Sequence, residues 1–86
     1  MQREKDIFNF TENIMIKERD ENLMLVSAVE QYANHYKMPT VAALILFGKY
    51  GINTLIRRHY NTLHTQPLDE SFYFADDILK RKMYEQ

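Results

Sequence analysis

Helix-breaking residues are few in this 86-residue chain, and their placement constrains its fold more than any other feature. They are two prolines, Pro39 and Pro67, and two glycines, Gly48 and Gly51, with none before Met38. A stretch as long as residues 1–38 therefore holds nothing that must interrupt a helix. Within it Leu23, Val26, Val29, Ala33 and Tyr36 recur three or four positions apart, which predicts a helix over about 20–36 with that face turned inward. Asp20 and Glu21 suit its N-terminus and Lys37 its C-terminus. Residues 4–15 carry a broken pattern of Ile7, Phe8, Ile14 and Met15, and the polar run 17–22 reads as a bend or a solvated turn of helix. Residues 1–19 are read as a partly helical extension, and 20–86 as a single helical domain.

The second half is divided more sharply. Pro39 pushes Met38 out of the helical region, and Thr40 suits an N-cap. Val41 to Phe47 is apolar at every position, which predicts a central helix over 41–49 covered by the others. Gly48 inside it costs up to about 1 kcal/mol against alanine, and close approach of a neighbouring helix is the expected reason. Gly51 suits the left-handed residue that closes a helix. Asn53 then caps a helix over about 54–64 that turns Leu55, Ile56, Tyr60 and Leu63 inward, with Ile52 packing just before it. Arg57, Arg58 and Asn61 face outward. Pro67 forbids continuation. Ser71–Phe74 reads as a short extended piece or as the first turn of a helix. Asp76 and Asp77 head the last helix, with Ile78, Leu79 and Met83 inward and Lys80, Arg81 and Lys82 towards its end. The fold class is all-α, a compact bundle of about four short helices.

Composition excludes several classes. Hydrophobic residues make up 45% and aromatics 13%, too apolar for a disordered tail. There is no cysteine, so neither a disulfide framework nor a thiolate metal site, which fits a reducing cytoplasm. The N-terminal MQREKDIF lacks the apolar core of a signal peptide, and no apolar run approaches the roughly 18 residues of a membrane span. Net charge is −1, divided as −2 over residues 1–22, +3 over 23–66 and −2 over 67–86. Acidic ends folding over a basic middle explain this division better than a nucleic-acid surface.

The segment Phe47-x-Lys49-Tyr50-Gly51-Ile52, followed by Leu55-Ile56, Tyr60-x-x-Leu63-His64-Thr65-Gln66 and Asp77-Ile78, is similar to a family of short bacterial helical proteins of unknown function. The similarity covers about residues 23–80. It implies a brief, helical, cytoplasmic protein, often encoded beside a protein that resembles an ADP-ribosyltransferase, in an arrangement suggestive of toxin and antitoxin. No activity, cofactor or catalytic residue comes with it. Two features depart from the family: the segment to about residue 20 is longer than usual, and Gly48 stands where a bulkier or polar helix former is more usual.

No constellation of catalytic residues emerges. His59 and His64 are five apart, about 140° around a helix, and His35 lies on another helix, so no metal site is expected. His64 suits the end of its helix, where an imidazole bonds the last free carbonyls, or a partner contact. Asp76 and Asp77 point about 100° apart and suit capping better than a shared proton. Thr65 and Gln66 suit an exit turn, with binding as a second role. Arg57 and Arg58 on a helix after a glycine turn suggest a helix-turn-helix, but the preceding helix is too apolar to cross a DNA backbone.

The aromatics Tyr32, Tyr36, Tyr50, Phe72, Tyr73, Phe74 and Tyr84 exceed what so small a core encloses, and some must lie at the surface as interface anchors. Met15, Met24, Met38 and Met83 add adaptable apolar surface. The expected function is a non-enzymatic interaction module that binds a protein partner or its own copy, without metal, cofactor or membrane. It would be the antitoxin or accessory half of a two-gene system. Arg57, Arg58, Asn61, His64, Gln66 and Tyr73 are the candidate contact residues. The alternative is a small nucleic-acid-binding regulator that uses Arg57 and Arg58.

Overall fold

A computed structural model describes the backbone of residues 2–84 and the side chains of residues 17–84. Its helices are α1 (Gln2–His35), α2 (Thr40–Lys49), α3 (Ile52–Arg58), α4 (Tyr60–Leu63) and α5 (Asp69–Tyr84), and the described residues contain no strand. The all-α expectation is met. The five helices fit a bundle of about four, but the lengths are uneven: at 1.5 Å per residue α1 is about 51 Å long, close to the 56 Å long axis of the molecule.

The expected start near residue 20 is not a helix end, because α1 runs through the polar run without a break. Residues 17–22 contain no breaker, and charged side chains are tolerated in a helix wherever one side faces water. Lys17, Glu18 and Arg19 are all exposed. Ile7, Phe8, Ile14 and Met15 lie outside the described side chains.

The central element is α1, not α2: α2, α3 and α5 all pack on it. Its buried arc is Met24, Leu25, Ala28, Val29, Tyr32 and Ala33. Leu23 and Val26, expected inward, are exposed. Two apolar stripes share this stretch, and the helices pack on the one carrying Leu25, Ala28 and Tyr32. The Tyr32 ring meets Phe47 of α2 edge-on at 5.6 Å and Phe72 of α5 at 6.4 Å, so one side chain ties three helices together. Burial raises the Tyr32 phenol above its ordinary value, with the nearby Tyr36 and Asp76 adding to the shift.

The apolar run Val41 to Phe47 of α2 is not enclosed. Ala43 and Phe47 enter the core, while Val41, Leu44 and Ile45 face outward. Thr40 is the first helical residue; Pro39 is the N-cap, its carbonyl accepting from Ala42 N–H at 3.0 Å, and no side chain caps the helix. Gly51 closes α2 with φ 71° and directly begins α3. Asn53 therefore lies inside α3 and caps nothing, and its Oδ1 is buried without a partner. The Lys82 ammonium donates to the Tyr50 carbonyl at 3.0 Å, so a cation of α5 satisfies the end of α2. Ile52, Ile56 and Leu63 are buried as the spacing predicts, with Leu55 and Tyr60 packed beside them.

Residues 71–74 are helical, not extended, since α5 begins at Asp69. Asp76 and Asp77 are consequently mid-helix and cap nothing. They do point apart: Asp77 pairs outward with Arg81, while Asp76 turns towards α1.

α1 closes with Lys37 at φ 53°, a left-handed residue that is not glycine. Met38 N–H donates to the Ala33 carbonyl at 2.9 Å and Lys37 N–H to that of Asn34 at 3.4 Å, the paired bonds of a Schellman closure. A β-carbon in this conformation costs about 1–2 kcal/mol. Lys37→Gly is therefore expected to raise the urea midpoint and Gly51→Ala to lower it, each by the equivalent of roughly 1 kcal/mol. A fall for Lys37→Gly would contradict the closure described.

Candidate functional site

The helix that follows Gly51 is interrupted. α3 ends at Arg58, and His59 (φ −99°, ψ 12°) steps the chain into the single turn of α4. The break separates the two arginines by function. Arg57 reaches back to α1, donating to Asn22 Oδ1 and pairing with Glu21 Oε2 at 3.5 Å. This is the acidic N-terminal region neutralising the basic middle, as the charge distribution suggests. Arg58 is exposed and makes no ion pair or hydrogen bond among the described residues.

The imidazole of His64 does not bond the last carbonyls of its helix. It stacks on Tyr60 with centroids 5.0 Å apart and planes 20° from parallel. Thr65 does tie down the exit, its hydroxyl donating to the Thr62 carbonyl at 2.8 Å. The Gln66 side chain is exposed; its backbone N–H donates to the Leu63 carbonyl at 3.1 Å. His59, missed as a packing residue, places its ring 5.4 Å from Phe74 of α5. The three histidines stay apart, and the described residues hold no cluster of His, Cys, Asp or Glu that could bind a metal ion.

Two clefts of about 350 Å³ flank this turn, and Gln66 lies on both. One runs between α1 and the exit turn and is lined by Leu23, Tyr60, His64, Gln66 and Leu68. The other runs between α4 and α5 and is lined by His59, Gln66, Glu70, Tyr73 and Asp77. The structure thus joins His64 with Gln66, and Gln66 with Tyr73. Arg58 and Asn61 are exposed on the neighbouring turns but line neither cleft, and Arg57 is held against α1. Leu23 and Leu68, both exposed, are additional lining residues that the sequence does not single out. A leucine directly after Pro67, where no helix continues, is the one signal that points to Leu68.

The surplus of aromatics is visible in their burial. Tyr32 and Phe72 are buried and Tyr50 and Phe74 partly so, while Tyr73 and Tyr84 stand at the surface. Met24 is in the core, Met38 packs against it and Met83 is exposed; Met15 lies outside the described side chains.

Across the core, the Tyr36 hydroxyl donates to Asp76 Oδ1 at 2.5 Å, and Lys80 pairs with Asp76 Oδ2 at 3.2 Å. The bond to Asp76 foremost, then burial, pushes the Tyr36 phenol up to about 12. The trio clamps α1 to α5.

No helix among the described residues is long and apolar enough to cross a membrane. No curated protein and no solved structure is significantly similar to the chain. Residues 23–82 match a family described as protein of unknown function (DUF3791). The matched segment begins inside α1, one residue before its buried arc, and ends two residues short of the end of α5. The chain belongs to that family.

Proposed function

We propose that the protein is a non-enzymatic interaction module whose contact surface is the edge formed by α4, the exit turn and the adjoining face of α5. One observation carries the reading. Leu23, Leu68, His64, Gln66 and Tyr73 line two adjoining clefts that share Gln66, with Arg58, unpaired among the described residues, on the turn before. Exposed aliphatic and aromatic groups beside an uncommitted arginine are the composition of a protein interface centre, where aromatic and arginine anchors supply most of the binding energy. In the two-gene arrangement that the family resemblance implies, the partner is the enzyme encoded alongside, in a bacterial cytoplasm. The module would act as antitoxin or accessory subunit by covering the enzyme's active cleft. A nucleic-acid role is weaker, because Arg57 already holds Glu21 and Asn22 and α3 is seven residues long. So short a helix presents few side chains to base edges.

Co-expression with the adjacent gene product, followed by size-exclusion chromatography, tests the reading. A single co-eluting peak is expected at micromolar concentration. The pair Arg58→Glu and Tyr73→Ala should weaken the complex at least about tenfold, the effect of losing one to two anchor residues. Two separate peaks for the wild-type proteins would sink the proposal.

A further inference from the structure

α2 reads TVAALILFGK, with no acid and one cation, Lys49, in its last turn. Ala43 and Phe47 bury one side of it. Val41, Leu44, Ile45 and Gly48 fall at intervals of three, one and three, which places them on one face. The three aliphatics are 62%, 49% and 64% exposed, and Gly48 is exposed with them. Nothing among the described residues accounts for the glycine. A β-carbon at Gly48 would meet no atom within 4 Å, and its φ is not positive. The close approach of a neighbouring helix expected there does not occur among the described residues. The helix bears the propensity cost of glycine without an intramolecular return.

We infer that this ridge is where two copies of the chain meet, α2 against α2, antiparallel about a two-fold axis. Such an axis demands a patch complementary to itself. With the axis between Leu44 and Ile45, Leu44 of each copy lies opposite Ile45 of the other. Val41 of each lies opposite Gly48 of the other. Each valine then enters the space the glycine leaves, and this happens twice. The antiparallel sense also sends the two Lys49 ammonium groups to opposite ends, whereas a parallel pair would set them side by side. It opposes the two helix dipoles as well. Three half- to two-thirds-exposed aliphatics per copy fall short of the roughly 800 Å² per partner of a standard interface. The dimer is therefore weak and reversible. It uses a helix other than those of the contact edge proposed above and does not depend on that proposal.

Sedimentation equilibrium of the full chain tests this over about 10 μM to about 1 mM, with half-association on the order of 100 μM, the weak end of specific pairing. Gly48→Leu fills the space Val41 requires, and Ile45→Lys sets like charges near the axis. Each is expected to raise the midpoint at least about tenfold. Gly48→Leu should melt no lower than the wild type, since a β-carbon there meets no described atom within 4 Å and leucine is the better helix former, and this separates lost pairing from lost folding. Arg58→Glu with Tyr73→Ala should leave the midpoint unchanged. A monomer mass throughout the range would overturn the inference. So would a dimer indifferent to both substitutions, or a monomer whose complex with a foreign protein is broken by Gly48→Leu.

Discussion

Phe47→Ala is expected to cost about 3–5 kcal/mol, the toll of deleting a fully enclosed aromatic side chain. Phe47 is 0% exposed, among the largest fully buried side chains, and meets Tyr32 edge-on. A domain of this length holds only roughly 4–13 kcal/mol in all, at about 0.05–0.15 kcal/mol per residue. The variant should consequently be partly or wholly unfolded at room temperature, with helical circular dichroism lost at far lower urea than in the wild type. Phe47→Leu keeps much of the volume and should lose clearly less. If Phe47→Ala cost less than about 1.5 kcal/mol, α2 would not be docked on α1 through this ring.

The second large effect belongs to the clamp between α1 and α5. Tyr36→Phe removes the hydroxyl that donates to Asp76, a residue only 8% exposed. A bond to a charged group contributes about 1.5–3 kcal/mol, and the lower end applies because Tyr36 is 38% exposed. Asp76→Asn should cost at least as much, since it also removes the partner of Lys80. In a double-mutant cycle the two losses should be clearly less than additive. Strict additivity would mean that the bond contributes nothing.

The same bond makes stability depend on alkaline pH. The Tyr36 phenol is raised from 10.0 to about 12 by its bond to Asp76 and then by burial. As pH passes the ordinary phenol value the unfolded chain gives up this proton first, while the folded chain keeps it. The contribution is therefore intact below pH 10 and is lost as pH rises from there through about 12. Tyr32, raised mainly by burial, acts in the same direction. Urea midpoints at about pH 9 and about pH 11.5 should differ markedly in the wild type and less in Tyr36→Phe. An equal fall in both would assign the alkaline loss to other groups.

Several elements were legible before any coordinates. Pro39, Gly51 and Pro67 mark real helix ends, because a missing N–H or a left-handed closing residue acts on the chain within a few positions. The inward set Ile52, Ile56 and Leu63 was legible too, since α3 and α4 are apolar on one side only and leave no choice of face. The candidate site was partly legible. Arg58, Asn61, His64, Gln66 and Tyr73 are exposed as their positions suggest. Arg57 is exposed too, but its bonds to Asn22 and Glu21 were not legible, because those partners lie 35 and 36 residues away.

The faces of α1 and α2 show why the rest was hidden. In α1 the expected face was right at Val29 and Ala33 and wrong at Leu23 and Val26, because Leu25, Ala28 and Tyr32 form a second apolar stripe beside it and periodicity cannot choose where the buried arc is centred. In α2 every position from 41 to 47 is apolar, so the pattern says nothing of which side is covered. Asp76 looked like a cap until a tyrosine 40 residues away claimed it. By itself, then, the sequence determined the boundaries at Pro39, Gly51 and Pro67 and that the chain is all-α, since backbone chemistry at proline and glycine is local. Only the tertiary structure decided where the buried arc of α1 is centred, which arginine reaches back to α1 and which face of α2 remains open. Burial and pairing are properties shared between distant segments, and no single segment carries them.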